Sequence, residues 1–170
     1  MDRKEPSGKE RGKDSLKAEG VIRKAEPSDF EDVMNIENAC FPGELAYSRQ
    51  QMRYLLFKAN GVTLVEVRDG RAAGYITAVF RRGSEIAGIE TIGVDPRCRG
   101  SGIGARLLRA AEEWMKPWGI KSFRLEVSIG NEQAISMYEK AGYRITETID
   151  NYYIYEHHGT RSVYRMEKDL

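Results

Sequence analysis

The residues with the clearest chemical use lie in a glycine-rich turn between a predicted strand and a predicted helix. The stretch runs Val94-Asp95-Pro96-Arg97-Cys98-Arg99-Gly100-Ser101-Gly102-Ile103-Gly104-Ala105. Its three glycines let the backbone approach a ligand closely, because no Cβ atom intervenes. The free N–H groups and partial positive charge at the start of the following helix make an anion site. We therefore expect a pyrophosphate group here, with Arg99 and Arg106 adding positive charge.

Two alternatives to this interpretation stay open. The spacing G-x-G-x-x-A over positions 100–105 also fits a relaxed dinucleotide fingerprint, with Glu126 on the next strand as the ribose-binding acid. That match is weak because the first glycine of a dinucleotide fold follows directly on its strand, whereas residues 95–99 intervene here. A glycine-rich loop without any ligand is the second alternative. A Walker motif is absent, since no Gly-Lys-Ser/Thr follows the glycines.

The strands predicted before this turn form an antiparallel meander. β-type runs cover positions 62–67, 73–80 and 86–94, and Asp69-Gly70 is a strong hairpin signal between the first two. A short strand is predicted at 21–24, and further strands at 123–127, 143–149 and 162–166. These runs predict one mixed sheet that is mostly antiparallel.

Helical spacing and capping signals place helices between these strands. Capping boxes are predicted at Ser28 and Ser48, an amphipathic pattern runs from Ile103 to Met115, and Asn131 caps a helix that ends before Gly142. The predicted order is ββ-αα-βββ-α-β-α-ββ, with the first strand short. The expected class is mixed α/β, with a central sheet and helices on both faces.

Length and composition predict one folded domain behind a charged tail. The chain has 170 residues, 41% hydrophobic and 31% charged, which suits a single domain with a packed core. Positions 1–20 carry eleven charges of mixed sign, and their only apolar residues are Met1, Leu16 and Ala18. Such a segment cannot bury enough apolar area to offset its ordering entropy. We expect a disordered tail at 1–20 and the domain at 21–170.

Charge and cysteine content exclude several classes of protein. The formal net charge of +1 gives no reason to expect nucleic acid or an anionic membrane as partner. Cys40 and Cys98 are too few for a disulfide framework or a zinc cluster. His157-His158 points only weakly to a metal, so no metal is expected, and both histidines are expected to be exposed. Without a long apolar run, no membrane span or signal peptide is predicted, and a cytoplasmic location is expected.

The glycine turn and several downstream motifs resemble the GNAT N-acetyltransferase superfamily. Arg99-x-x-Gly102-x-Gly104 after Val94-Asp95-Pro96 is similar to its acetyl-coenzyme A loop. The second half of the family pattern matches Leu125-Glu126-Val127, Asn131, Ala134, Tyr138-Glu139 and Gly142-Tyr143. Within the superfamily, the chain is similar to the RimI-like branch, which acetylates the N-terminal amine of a ribosomal protein, and to its archaeal relatives. The residues that carry this similarity are Glu126 with Asn131 and Tyr138, Asn151-Tyr152-Tyr153, and Ile36-Glu37 with Phe41-Pro42. The resemblance covers about positions 21–168 and implies the GNAT fold.

This resemblance implies acetyl-coenzyme A as co-substrate. Backbone groups of one strand would hold the acetyl-pantetheine arm, and Asn131 would form a further hydrogen bond with this arm. Amides of the glycine turn would hold the pyrophosphate. The expected binding residues are Ile92, Gly93, Val94, Arg99, Gly100, Ser101, Gly102, Ile103, Gly104, Ala105, Asn131 and Tyr138.

The resemblance also implies the groups that move protons. An amine attacks a thioester only as the neutral base, and an α-amine with a pKa of about 7.7–8.0 needs only one carboxylate to take its proton. Glu126 fits that role in the RimI-like branch and Glu90 fits it in the archaeal relatives, so both remain candidates. Tyr138 is implied as the general acid at the departing sulfur, although its spacing alone would indicate a core-facing aromatic residue.

The expected acceptor groove combines one acid with aromatic residues. Glu37 would attract a protonated N-terminus, while Phe41, Tyr152 and Tyr153, with Tyr155, would clasp peptide backbone. An aromatic-decorated sheet edge is the alternative. The expected function is transfer of acetyl to a protein N-terminus, with a ribosomal protein as one possible acceptor, by direct attack in a ternary complex. Acetylation of a small amine or a lysine side chain, a coenzyme A-binding regulatory module and a nicotinamide enzyme are the other hypotheses.

Overall fold

The computed structural model describes residues 20–170, so the tail expected at 1–20 lies outside the described residues except for Gly20. This part of the chain forms seven strands and four α-helices. Their bounds are β1 Val21–Lys24, α1 Phe30–Cys40, α2 Arg49–Phe57, β2 Gly61–Arg68, β3 Arg71–Phe80, β4 Ile86–Val94, α3 Ile103–Met115, β5 Ser122–Ser128, α4 Glu132–Lys140, β6 Arg144–Ile149 and β7 Val163–Asp169. Within this range one strand, not two, precedes α1.

All seven strands belong to one sheet with the order β1-β2-β3-β4-β5-β7-β6. Every neighbouring pair is antiparallel except β4 and β5, which are parallel. At the β2–β3 hairpin, Asp69 and Gly70 have φ angles of 48° and 76°, as the Asp-Gly signal predicts for a type I′ turn. The predicted mixed, mostly antiparallel sheet is confirmed.

Helices cover both faces of the sheet, as predicted. Against one face, α1 and α2 bury Val33 and Met52 around Tyr75 of β3. Against the other face, α3 and α4 enclose a larger core that includes Leu107 and Phe123. Alternate residues of each strand feed the two cores, because successive side chains point to opposite faces. No helix in residues 20–170 is long and apolar enough to cross a bilayer.

The helix starts agree with the sequence at two places and differ at one. Ser48 and Gln51 form the predicted capping box of α2, and Asn131 caps α4 by accepting from the Ala134 N–H at 3.2 Å. The box predicted at Ser28 is wrong. Its place is taken by a 3₁₀ turn, in which the Asp29 carboxylate accepts from the Glu26 N–H at 2.7 Å. Pro27 favours this turn because proline suits the first helical position.

The parallel strands β4 and β5 separate along their length. They pair only between 86–88 and 122–124, after which β4 continues beside β3 and β5 beside β7. In β4 the register with β3 shifts, since Ala78 pairs with Ile89 and Thr77 with Thr91. Glu90 is therefore the extra residue of a β-bulge, a feature that bends a strand and re-aims a side chain. The separation opens a notch in the middle of the sheet.

Candidate active site

The notch between β4 and β5 is the floor of one cleft of about 1200 Å³. Side chains and backbone from α3, α4 and the loops 41–47 and 152–158 complete its walls. Every cofactor residue expected from the sequence lines this cleft except Ser101. The expected catalytic and acceptor residues line it too, namely Glu37, Phe41, Glu90, Glu126, Tyr138, Tyr152 and Tyr153. Tyr155, also expected in the acceptor groove, is exposed and does not line the cleft.

One end of the cleft is the turn of residues 99–105 that leads into α3, where the sequence predicts a pyrophosphate, and it is called the phosphate end below. Gly102 is the N-cap of α3 with a φ of 77°, and Gly100 has a φ of 78°, a left-handed conformation that glycine adopts without strain. The first hydrogen bond of the helix runs from the Arg106 N–H to the Gly102 carbonyl at 3.1 Å. The N–H groups of residues 103–105 are thus the orphan donors of a helix start, which suit a diphosphate.

The third glycine of the motif has a packing role as well. A Cβ atom on Gly104 would lie 2.8 Å from the Met137 sulfur and 3.9 Å from a methyl of Val94. Gly104 therefore lets α4 approach α3 closely. The spacing of glycines in this motif reflects helix packing in addition to ligand access.

The two arginines expected to add charge differ in their surroundings. The exposed Arg99 side chain has one guanidinium nitrogen 3.6 Å from the Cys40 sulfur and lines the cleft. Arg106 points away from the cleft and is paired with the buried Glu66, at 2.7 Å and 3.0 Å. The expectation that Arg106 presents its charge to the ligand is wrong, because its guanidinium is directed to Glu66 and the Ser101 carbonyl and does not line the cleft.

Tyr138 lies in the middle of the cleft, 5% exposed, with its ring edge-on to Tyr143 at 5.9 Å. Burial, and next the proximity of Tyr153, raise the pKa of Tyr138 above its usual range. The phenol consequently stays protonated at neutral pH. No hydrogen bond joins its hydroxyl to another group in residues 20–170, so it can donate to a ligand.

Glu90 lies at the end of the cleft where the sequence predicts the acceptor, called the acceptor end below and lined by Glu37, Phe41, Tyr47, Glu90, Tyr152 and Tyr153. Its carboxylate accepts a hydrogen bond from the Tyr47 hydroxyl at 2.5 Å, and it has no ion pair within the described residues. Burial, and then the hydrogen bond to Glu90, raise the pKa of Tyr47, so the phenol remains a donor. The bulge in β4 turns Glu90 toward the loop that carries Tyr47.

Glu126 lies across the notch from Glu90 and is paired with a cation. Its Oε1 accepts from Arg165 Nε at 2.9 Å, and Arg165 also donates to Glu147 at 2.5 Å. The hydrogen bond to Glu126 raises the pKa of Arg165. Tyr152 is influenced by both acids. Burial is the main reason that the pKa of Tyr152 is raised, and the negative charges of Glu126 and then Glu90 raise it further.

Glu37 is buried beneath the acceptor end, with 1% exposure. One of its oxygens accepts from the Tyr47 N–H at 2.8 Å, and the other accepts from the Tyr75 hydroxyl and, at 3.4 Å, from Thr91 Oγ1. Burial raises the pKa of this carboxyl. Glu37 thus holds the segment that carries Tyr47, and direct contact between Glu37 and an acceptor stays a prediction.

Aromatic rings form the outer wall of the acceptor end. Tyr152 packs edge-on against Tyr153 at 5.2 Å, and the His157 ring lies 5.8 Å from Tyr153 and 5.7 Å from Phe41. The expectation that both histidines are exposed is wrong for His157, which is 9% exposed because these rings enclose it. His158 is exposed as expected. Residues 20–170 contain no cluster of three potential metal ligands.

Sequence reasoning missed Tyr47, which joins the two acids of the acceptor end. Its N–H donates to Glu37 and its hydroxyl to Glu90. The sequence held one signal, since Tyr47 directly precedes the predicted capping box at Ser48 and must therefore lie at the start of α2. The contact with Glu90 depends on the bulge in β4, for which no sequence signal was found.

The chain is similar in sequence to one family of known enzymes. The sequence model of the Acetyltransferase (GNAT) family matches residues 30–143, about two thirds of the chain. The chain therefore belongs to the GNAT acetyltransferase family and is an N-acetyltransferase of that family.

Individual relatives differ in their substrates. The chain is 26% identical over 135 residues to aminoglycoside N(6')-acetyltransferase type 1 of Acinetobacter haemolyticus, covering 75% of this chain and 93% of that protein. It is 28% identical over 111 residues to N-alpha-acetyltransferase 30 of Schizosaccharomyces pombe, covering 64% and 74%. The crystal structure of the ribosomal-protein-S18-alanine N-acetyltransferase from Escherichia coli superimposes with a TM-score of 0.78 at 21% identity, covering 88% and 93%.

Proposed function

We propose that this protein transfers an acetyl group from acetyl-coenzyme A to the N-terminal α-amine of a protein or peptide. One observation carries the proposal: a single cleft joins an amide-lined phosphate end to an end lined by Glu90, Glu126 and tyrosines. The relatives named for N-alpha and ribosomal-protein alanine acetylation support this acceptor class. A ribosomal protein is one acceptor within it.

The cleft fits acetyl-coenzyme A, which would supply an acetyl thioester. The free amides at the start of α3 and the Arg99 guanidinium suit its diphosphate. Beyond Gly88, β4 has no partner on the side of β5, so those backbone groups of residues 92–94 that face away from β3 are available to the acetyl-pantetheine arm. The Asn131 side-chain oxygen caps α4, and its NH₂ group can donate to the same arm.

Glu90 is the better placed proton acceptor for the incoming ammonium. Glu126 would weaken its ion pair with Arg165 on taking a proton, whereas Glu90 has only the Tyr47 hydroxyl as partner. An α-amine is already neutral to roughly a tenth at pH 7, so one carboxylate, directly or through a water, gives sufficient help. We assign Glu90 as general base and Glu126 to binding the amine.

Tyr138 is the proposed general acid. Its buried phenol stays protonated and can donate to the sulfur as the thiolate leaves. Neither cysteine in the cleft is an activated nucleophile, since burial raises the pKa of Cys98 and the Cys40 thiol donates to the Val94 carbonyl at 3.3 Å. Direct attack of the amine on the thioester in a ternary complex follows.

A small polycationic amine is the second candidate acceptor. The acids of the cleft would attract it, and one relative is named for an aminoglycoside. A lysine side chain is less suited, because with a pKa of about 10.4 its amine is neutral to well under a thousandth at pH 7 and needs stronger base assistance than an α-amine does.

Thiol release from acetyl-coenzyme A separates these acceptors. The purified protein is offered a lysine-free peptide with a free N-terminus, the same peptide blocked at its N-terminus but carrying one lysine, and an aminoglycoside. We expect thiol release and a mass gain of one acetyl group with the free N-terminus. Turnover confined to the lysine peptide or the aminoglycoside would overturn the proposal. Mass spectrometry of N-terminal peptides from cells with and without the protein then identifies the acceptor, and the cytoplasmic location stays a prediction for cell fractionation.

A further inference from the structure

An ionic cluster lies buried directly behind the phosphate end. Glu66 of β2 is completely buried and follows Val62 and Leu64 on the strand face that packs against α3. Its two oxygens accept from Arg106 Nε at 3.0 Å and Nη2 at 2.7 Å, and Oε1 also accepts from Arg68 at 2.9 Å. Although burial alone would raise it, hydrogen bonds from Arg106 and Arg68 hold the pKa of Glu66 below its usual range. The group is therefore a carboxylate at neutral pH.

Arg106 joins this cluster to the turn that opens α3. Its remaining nitrogen, Nη1, donates to the Ser101 carbonyl at 2.8 Å. A Cβ atom on Gly102 would lie 3.1 Å from the same nitrogen, so the guanidinium lies directly beneath the turn. A guanidinium is planar and rigid, and its donors keep a fixed geometry. Arg106 therefore links the position of Glu66 to that of the Ser101 carbonyl.

We propose that Glu66 is a positioning residue for coenzyme A, acting through Arg106 to hold the Ser101–Gly102 turn with its amides toward the diphosphate. This inference rests on the proposed function, because it concerns the same binding site. It assigns Arg106 a geometric task, in contrast to Arg99, whose exposed charge is available to the phosphates. Ser101 contributes through its carbonyl, while its hydroxyl donates to the Cys98 carbonyl at 2.5 Å.

A merely stabilising ion pair would behave differently in a binding measurement. Loss of a stabilising pair lowers the melting temperature and leaves the affinity of the folded protein for coenzyme A unchanged. Loss of a positioning pair misaligns the turn, so affinity falls while turnover at saturating acetyl-coenzyme A is retained. The variant Arg106→Lys separates the effect of charge from the effect of geometry on affinity. It keeps the positive charge but lacks the planar guanidinium that bridges Glu66 and Ser101.

The test compares Glu66→Gln, Arg106→Lys and the control Asp29→Asn with the wild type. Asp29 is a matched control, since it is 6% exposed and paired with Arg23 at 2.6 Å but lies outside the cleft. Calorimetry with coenzyme A gives Kd, steady-state assays give kcat and both KM values, and thermal melts give stability. We expect Glu66→Gln and Arg106→Lys to raise Kd and the KM for acetyl-coenzyme A by about tenfold, with kcat and the acceptor KM nearly unchanged. Asp29→Asn should lower the melting temperature alone.

Wild-type affinity in Arg106→Lys, or in a folded Glu66→Gln, would overturn the positioning role. If Glu66→Gln fails to fold, Arg106→Lys alone tests the positioning role. This variant is expected to fold, because Glu66 keeps Arg68 and a lysine as partners. Calorimetry needs no acceptor, so wild-type binding without thiol release would refute the proposed function and leave the expected Kd ratios intact. A folded wild type that does not bind coenzyme A would overturn both.

Discussion

The two ends of the cleft are built by opposite means. The phosphate end uses backbone N–H groups from one continuous segment, 99–105, and two of its glycines have left-handed φ angles. The acceptor end uses side chains from separate places: Glu37 of α1, Tyr47 of the following loop, Glu90 of β4 and the 152–158 loop. The phosphate end should therefore be sensitive to backbone strain, and the acceptor end to loss of single side-chain groups.

The electrostatic character of the two ends also differs. Orphan amides and Arg99 give the phosphate end positive potential, which suits an anionic ligand. Glu90 and Glu126 give the acceptor end negative potential, which suits an ammonium group. The cleft thus separates binding of the acyl donor from proton removal at the acceptor, and substitutions at one end should leave the constants of the other end unchanged.

Loss of the proposed base should have the largest effect on turnover. We expect Glu90→Gln to lower kcat by roughly 10²–10⁴, the usual contribution of a general base, with the KM for acetyl-coenzyme A unchanged. Glu126→Gln should mainly raise the acceptor KM. The matched control is Glu139→Gln, on the exposed surface of α4 away from the cleft, which should behave as wild type. A greater loss of kcat in Glu126→Gln than in Glu90→Gln would contradict this assignment and indicate that Glu126 of β5 is the general base.

The sequence predicts the phosphate end in one piece because its parts are contiguous. Gly100 and Gly102 lie in a strand-to-helix turn, as predicted, with φ angles of 78° and 77°, and binding of a phosphate there stays a prediction. Even there the sequence did not show that Arg106 turns inward, because its partner Glu66 lies forty residues earlier on a strand whose packing face had first to be known.

The acceptor end could be predicted only in part. Its members were named one by one from family resemblance, but their contacts depend on how distant segments meet. The register shift between β3 and β4 makes Glu90 a bulge residue beside Tyr47, and neither strand signals it in sequence. The burial of His157 likewise requires Phe41 and Tyr153 to close around it.

A methyl group at the N-cap of α3 should have an effect of intermediate size, which is confined to the binding of coenzyme A. Gly102→Ala strains a residue with a φ of 77° and brings a Cβ atom 3.1 Å from Arg106. We expect the Kd for coenzyme A to rise about tenfold, with the acceptor KM unchanged. Gly83→Ala is the control, since Gly83 has a φ of 79° and open space in the β3–β4 turn. Both variants should lose similar stability, and equal coenzyme A affinity in the two would show that the amide geometry at α3 is not critical.

The smallest expected effect is the part of the pH dependence of stability that arises from His157 at the acceptor end. Burial, and secondarily the neighbouring His158, lower the pKa of His157. An unfolded histidine takes its proton near pH 6.5, so this stability is fully present above about pH 6.5 and is lost as pH falls through the folded-state pKa. Thermal melts at pH 7.5 and 5.5 should show a smaller drop for His157→Phe than for wild type.

His158→Gln is the control for that comparison. It removes only the secondary cause, so most of the wild-type drop in melting temperature should remain. The Kd for coenzyme A should change equally with pH in His157→Phe and wild type, because His157 lies at the other end of the cleft. Equal melting-temperature drops in His157→Phe and wild type would mean that the ring gains its proton as easily in the folded protein as in the unfolded chain. The aromatic wall would then be open to water, and binding of the acceptor would rest on the carboxylates rather than on enclosure by Phe41 and Tyr153.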